Sequence, residues 1–129
     1  MRNRAVGIIL NNGKLLLLRR VKPDEEYFVL PGGGIEEGET PEQALLRELH
    51  DELGIEPSTH EKVFTRHTDN GEEHYFLITA HAGTPNLGPE IRARMTEENQ
   101  YFIHWVDVMR LPASFQPREI QERIRALKM

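Results

Sequence analysis

The chain has 129 residues and no cysteine. That excludes disulfides, thiolate-held zinc and a cysteine nucleophile, and it agrees with a cytoplasmic location. No apolar run approaches the length of a membrane span, and Leu15 to Leu18 is the densest. The opening MRNRAVGIILNNG carries basic residues and a short apolar run, which is too short for the core of a signal peptide. None of the six histidines stands in an HxxxH or HExxH spacing, so no helical histidine pair for zinc is expected. Bases are fewer than acids, 16 against 21, for a net charge of −5. A chain of that sign is a poor partner for nucleic acid or an anionic membrane.

What is present is the balance of a globular domain, with 38% hydrophobic and 29% charged residues. One domain over residues 1–129 is expected, without repeats or low-complexity tracts. Ala5 to Leu10 reads as a strand, Asn12-Gly13 as a hairpin turn, and Lys14 to Arg20 as the return strand. The leucine run predicts burial on both faces. Tyr27 to Leu30, Lys62 to His67, His74 to Ala82 and Tyr101 to Val108 read as further strands. Residues 83–99 read as a long mobile loop, and Pro117 opens a C-terminal helix with Ile120, Ile124 and Leu127 as its apolar stripe.

The stretch Gly33 to Ile55 carries the chemistry. Thr40 and Gln43 form a capping box, Pro41 suits the first helical position, and Gly54 stops the helix after Leu53. At about 100° per residue, Glu48, Asp51 and Glu52 share one arc of the helix, and Leu45, Leu46, Leu49 and Leu53 fill the next. Ala44, one turn before Glu48, leaves room on that arc. Carboxylates one turn apart repel. A solvated acidic face accounts for them, and so does a hard divalent cation held on carboxylate oxygens with waters left for phosphate ligands. Gly32, Gly33 and Gly34 read as a glycine turn that permits close backbone approach to a ligand, but no Lys-Ser/Thr follows them, so they form no P-loop.

The spacing resembles the Nudix box, G-x5-E-x7-R-E-U-x-E-E-x-G-U, with U a bulky aliphatic. Gly33, Glu39, Arg47, Glu48, Leu49, Glu52, Gly54 and Ile55 fit it, and Asp51 stands where the pattern has the first glutamate of a pair. The resemblance implies an α/β (α+β) fold: an α/β/α sandwich with a mixed, mostly antiparallel sheet between the box helix and the C-terminal helix. It implies a Mg²⁺-dependent hydrolase, with Mn²⁺ as the substitute, that cleaves a diphosphate joined to another group. The metal ligands it implies are Glu48, Glu52, Asp51 and a carbonyl from Gly32 or Gly33, with Gly32 preferred. Glu39 would pair with Arg47 and steer Glu48. Glu48 or Glu98 would be the base, with Glu97 and Glu90 behind Glu98 as the loop acid.

The resemblance also implies that Arg20 reaches substrate phosphates, while Arg19 points to the other side of the strand. A nucleobase needs an aromatic ring, and Tyr27, Phe28 and Phe115 are the candidates, although such residues are more often core. Marks of several subgroups are absent: no SQPWPFPxS, no proline at Asn70 or Gly71, and no tyrosine at residues 71–73. Elimination leaves a small (deoxy)nucleoside triphosphate pyrophosphohydrolase, acting on a small phosphorylated molecule and able to form a homodimer. The alternatives are a hydrolase of ADP-ribose or another nucleotide sugar, a nucleotide-binding module without turnover, or a structural subunit whose acidic helix faces a partner.

Overall fold

A computed structural model describes residues 2–127. Its spine is a pair of strands, β1 (Arg4–Asn11) and β2 (Lys14–Lys22). They are joined at Asn12-Gly13, where both residues take positive φ, as a tight two-residue hairpin requires. Around them lie β3 (Glu25–Val29), β4 (Gly32–Gly34), β5 (Glu56–Pro57), β6 (Glu61–Thr68), β7 (Gly71–Ile78), β8 (His81–Ala82) and β9 (Gln100–Asp107). Seven of these strands form one sheet, with β3-β2-β1-β7-β6 as its path, β4 on β1 and β9 on β2. Among the described residues of this sheet, β1 and β7 run parallel and the other strand pairs antiparallel.

The leucine run faces both ways. Leu16 and Leu18 join Ala5, Ile9, Phe76 and Ile78 under the box helix, α1 (Pro41–Leu53), which contributes Ala44, Leu45, Leu49 and Leu53. Leu15 and Leu17 join Val6, Ile8, Leu10 and Tyr75 on the opposite face. There the cover is a 3-10 turn (Arg118–Ile120) leading into α3 (Gln121–Arg125), which buries Ile120 and Ile124. A mixed sheet between two helical layers is therefore the observed architecture, and period-2 alternation supplies an apolar set to each layer. Gly7 sits where α1 crosses β1. A side chain there would press on Ile78, Leu49 and Leu45.

Helix α1 starts and stops as its sequence predicts. The Thr40 hydroxyl accepts from the Gln43 N–H at 3.1 Å, the Gln43 side chain accepts from the Thr40 N–H at 2.9 Å, and Gly54 closes the helix in the left-handed region. Two expectations need correction. Residues 32–34 are a strand on β1 rather than a turn. Residues 83–99 are not a structureless loop, because Pro89–Arg94 forms a short helix, α2, with Ile91 buried among the residues under α1. The same segment satisfies carbonyls that α1 leaves free at its end. Asn86 N–H donates to Leu53 O at 3.0 Å and Gly88 N–H to Glu52 O at 2.7 Å.

Candidate active site

The glycine strand β4 builds one wall. Gly7 N–H donates to Pro31 O and Ile35 N–H to Asn3 O, and Gly33 lies opposite Ala5. The residues between, Gly32 and Gly34, therefore turn their backbone groups away from β1 and toward α1. Gly32 N–H donates to Glu52 Oε1 at 2.9 Å, and Gly34 O accepts from Arg47 Nη2 at 3.0 Å. The carboxylate of Glu48 lies directly over Gly33, where any Cβ would collide with it. This position needs glycine for the approach of a side chain from the facing helix.

Arg47 organises the near end of α1. It holds Glu39 through two bonds, Nε to Oε2 at 2.7 Å and Nη2 to Oε1 at 2.9 Å. It also donates from Nη1 to Glu48 Oε1 at 2.8 Å. The expected Glu39–Arg47 pair is thus present, and it fixes the loop before α1 to the helix beside Glu48. Its guanidinium holds the Glu39 carboxyl down at about 2, assisted by the Glu36 N–H. Glu52 behaves in the opposite way. Burial, with the neighbouring charge of Glu48, pushes its carboxyl up to about 7, against the pull of the Gly32 N–H and of Arg4 and Arg94.

Glu48 and Glu52 line one cavity of about 210 Å³ with Arg2, Arg4, Arg20, Arg94 and Tyr101. A desolvated carboxylate with no ion-pair partner among the described residues, sharing a cavity with a second carboxylate and the glycine strand, suits an oxygen-loving cation. Among the described residues no three Asp, Glu, His or Cys side chains gather as a metal cage. A site of two carboxylates and a carbonyl leaves coordination positions open, as Mg²⁺ prefers when phosphate oxygens and waters complete its shell.

Other expected residues lie elsewhere. Asp51 lines a different hollow, with Leu46, His50 and Glu56, and its carboxylate is 3.3 Å from His50 Nδ1. It is not among the residues lining the cavity of Glu48 and Glu52. Ala44 leaves no room for a ligand, since it is fully buried in the core. Glu98, Glu97 and Glu90 are exposed, and none of the three lines the cavity. The segment that carries them sends Arg94 there instead.

Arg20 does line the cavity. Its Nη2 donates to Asn99 Oδ1 at 3.2 Å, and its guanidinium stacks 4.6 Å from the Tyr101 ring and 5.6 Å from the Tyr27 ring. Arg19 turns to the opposite side of the strand and pairs with Glu26. Phe115 is fully buried, and Phe28 packs in the same core, edge-on to His104. Both are structural, and Tyr27 meets the site through Arg20.

Arg2, Arg4, Arg94 and Tyr101 escape the sequence reading. Arg2 precedes the first strand, Arg4 opens it and Arg94 ends a helix hidden in an apparent loop, so no motif spacing marks them.

A family model described as NUDIX domain matches residues 1–127. The chain is 54% identical over 54 residues to a protein named RNA pyrophosphohydrolase from Cellvibrio japonicus, a match covering 40% of this chain and 31% of that protein. It spans about a third of the length of the curated relatives it matches. Among solved structures it is similar to the MutT NUDIX hydrolase of Burkholderia pseudomallei, at a TM-score of 0.77 and 23% identity over 98% of both chains, a likeness of fold. It is also similar to the ORF135 protein of E. coli, at a TM-score of 0.72 and 27% identity, covering 98% of this chain and 91% of that one.

Proposed function

The chain belongs to the Nudix family, and from that premise we propose that it is a Mg²⁺-dependent pyrophosphohydrolase acting on (deoxy)nucleoside triphosphates. The observation that carries this reading is the single cavity in which Glu48 and Glu52 face the glycine strand inside a ring of four arginines. Glu48, Glu52 and the Gly32 carbonyl would hold the cation. When bound, it would neutralise phosphate oxygens and sharpen the nucleophilicity of water.

The protein's own groups do the rest. The arginines bind and orient the phosphate chain. Water attacks phosphorus, the P–O bond of the anhydride breaks, and the leaving phosphate carries away the electron pair. Glu48 takes the proton from water. Arg47, which donates to its Oε1, aims it, and Glu98, exposed and outside the cavity, is not assigned that role. Arg4 also lines a larger hollow of about 530 Å³ with Val6, Val29, Leu30, Tyr75 and Pro117. That hollow is the natural seat for the organic group attached to the phosphates.

The test is a hydrolysis screen with Mg²⁺ over nucleoside triphosphates, nucleotide sugars, ADP-ribose, dinucleoside polyphosphates and coenzyme A. Pyrophosphate release from triphosphates, abolished by EDTA and by Glu52→Gln, is expected. Hydrolysis that survives EDTA overturns the site assignment. Negligible rates throughout, equal in wild type and variant, favour a module that binds without turnover. The name of the Cellvibrio relative supports a second reading, in which the triphosphate is the 5′ end of an RNA. A 5′-triphosphorylated oligonucleotide hydrolysed faster than free nucleotides would establish it.

A further inference from the structure

Arg2, Arg4, Arg20 and Arg94 share the cavity, and none has a carboxylate partner within ion-pairing distance among the described residues. Arg47 already neutralises Glu48. Four unpaired guanidiniums around two carboxylates leave an excess of positive charge in a protein whose net charge is −5. Like charges gathered at that density call for a polyanion.

Two of the four are tied together. Asn99 accepts from Arg20 Nη2 through Oδ1 at 3.2 Å and donates from Nδ2 to the Arg94 carbonyl at 3.3 Å. It thus joins the end of α2 to the guanidinium on β2. Arg20 is stacked on Tyr101, and its Nε is buried without a hydrogen-bond partner. Such a donor is costly to leave unmade. Arg94 is carried by α2, which Ile91 anchors under α1. Arg4 belongs as well to the larger hollow, whereas Arg20 and Arg94 do not. Those two are left for phosphates farther from the organic group.

We propose that Arg94 and Arg20, coupled by Asn99, clamp the far phosphate of a polyphosphate chain, so that the site prefers three linked phosphates to two. This rests on the cavity being a phosphoanhydride site, but its test does not need turnover. Binding of inorganic tripolyphosphate and of pyrophosphate to the full chain is measured by calorimetry in EDTA at low salt. One charge-assisted contact more predicts that tripolyphosphate binds about tenfold tighter or better. Arg94→Ala should remove most of that ratio and Arg94→Lys part of it. Asn99→Ala, which frees Arg20, should give an intermediate value. Arg19→Ala, on the other side of the strand, should leave it unchanged.

A ratio that survives Arg94→Ala overturns the clamp, and so does an equal loss for both ligands. So does a variant that binds Mg²⁺ more tightly with tripolyphosphate affinity intact, since Arg94 would then be only a counter-ion to Glu52. A ratio that behaves as expected in a chain that hydrolyses nothing would refute the hydrolase reading and leave the clamp standing.

Discussion

Glu52 is where the site's chemistry conflicts most with folding. Burial raises its carboxyl from the ordinary 4.5 to about 7. Below 4.5 the group is protonated in both the folded and the unfolded chain. Between 4.5 and 7 the unfolded chain releases the proton while the folded one keeps it, so stability falls as pH rises, and above 7 it levels off. The total is at most ~3 kcal/mol, at roughly 1.4 kcal/mol per tenfold change in proton affinity. Denaturant melts in EDTA from pH 4 to pH 8 should show this slope in the wild type and not in Glu52→Gln. A difference between the two chains that stays constant with pH would mean that Glu52 is better solvated than its burial implies. Glu39 carries the opposite sign. Arg47 depresses its carboxyl to about 2, so its contribution is present above 4.5 and fades as pH falls toward 2. Both carboxylates were legible from the box spacing, but their opposite electrostatic roles were not, because those depend on which helix face the glycine strand covers.

At the scale of elements, α1 is the piece that sequence specifies best. Thr40, Pro41, Gln43 and Gly54 each act locally, and all four occupy the expected cap positions. Thr40→Ala removes one cap acceptor and should cost about 1 kcal/mol in chemical denaturation, with hydrolysis at 25 °C nearly unchanged. A loss of activity out of proportion to stability would show that the cap also sets the aim of Glu48. The strands were legible for the same reason, since period-2 alternation sorts Leu15 and Leu17 from Leu16 and Leu18. The glycine strand reads as a turn from sequence because three glycines have no side-chain pattern, and their pairing to β1 makes them a strand. Helix α2 was hidden for a different reason. Its six residues show a single apolar anchor, Ile91, and the carbonyls that fix the preceding residues belong to the distant end of α1. Tertiary contacts made this element, and it carries an arginine to the place where a loop carboxylate was expected.

For the whole molecule, the question is what offsets the charge stored between sheet and helix. A core that serves both faces of one sheet can carry a buried carboxylate, but the metal-free protein bears the cost of Glu52 at neutral pH. A cation that binds only the folded chain returns that energy by mass action. At a concentration a hundredfold above its dissociation constant, the gain is about 2.7 kcal/mol. For a domain of this size that corresponds to a rise in Tm on the order of 10 °C. Thermal melts at pH 7.5 should therefore shift upward with Mg²⁺ and return with EDTA. Glu52→Gln should melt at the same temperature in both conditions. The variant should also begin above the metal-free wild type, because the amide has no charge to desolvate. If Mg²⁺ moves the two chains equally, the ion is acting on the acidic surface as a whole, and the paired glutamates are not its site.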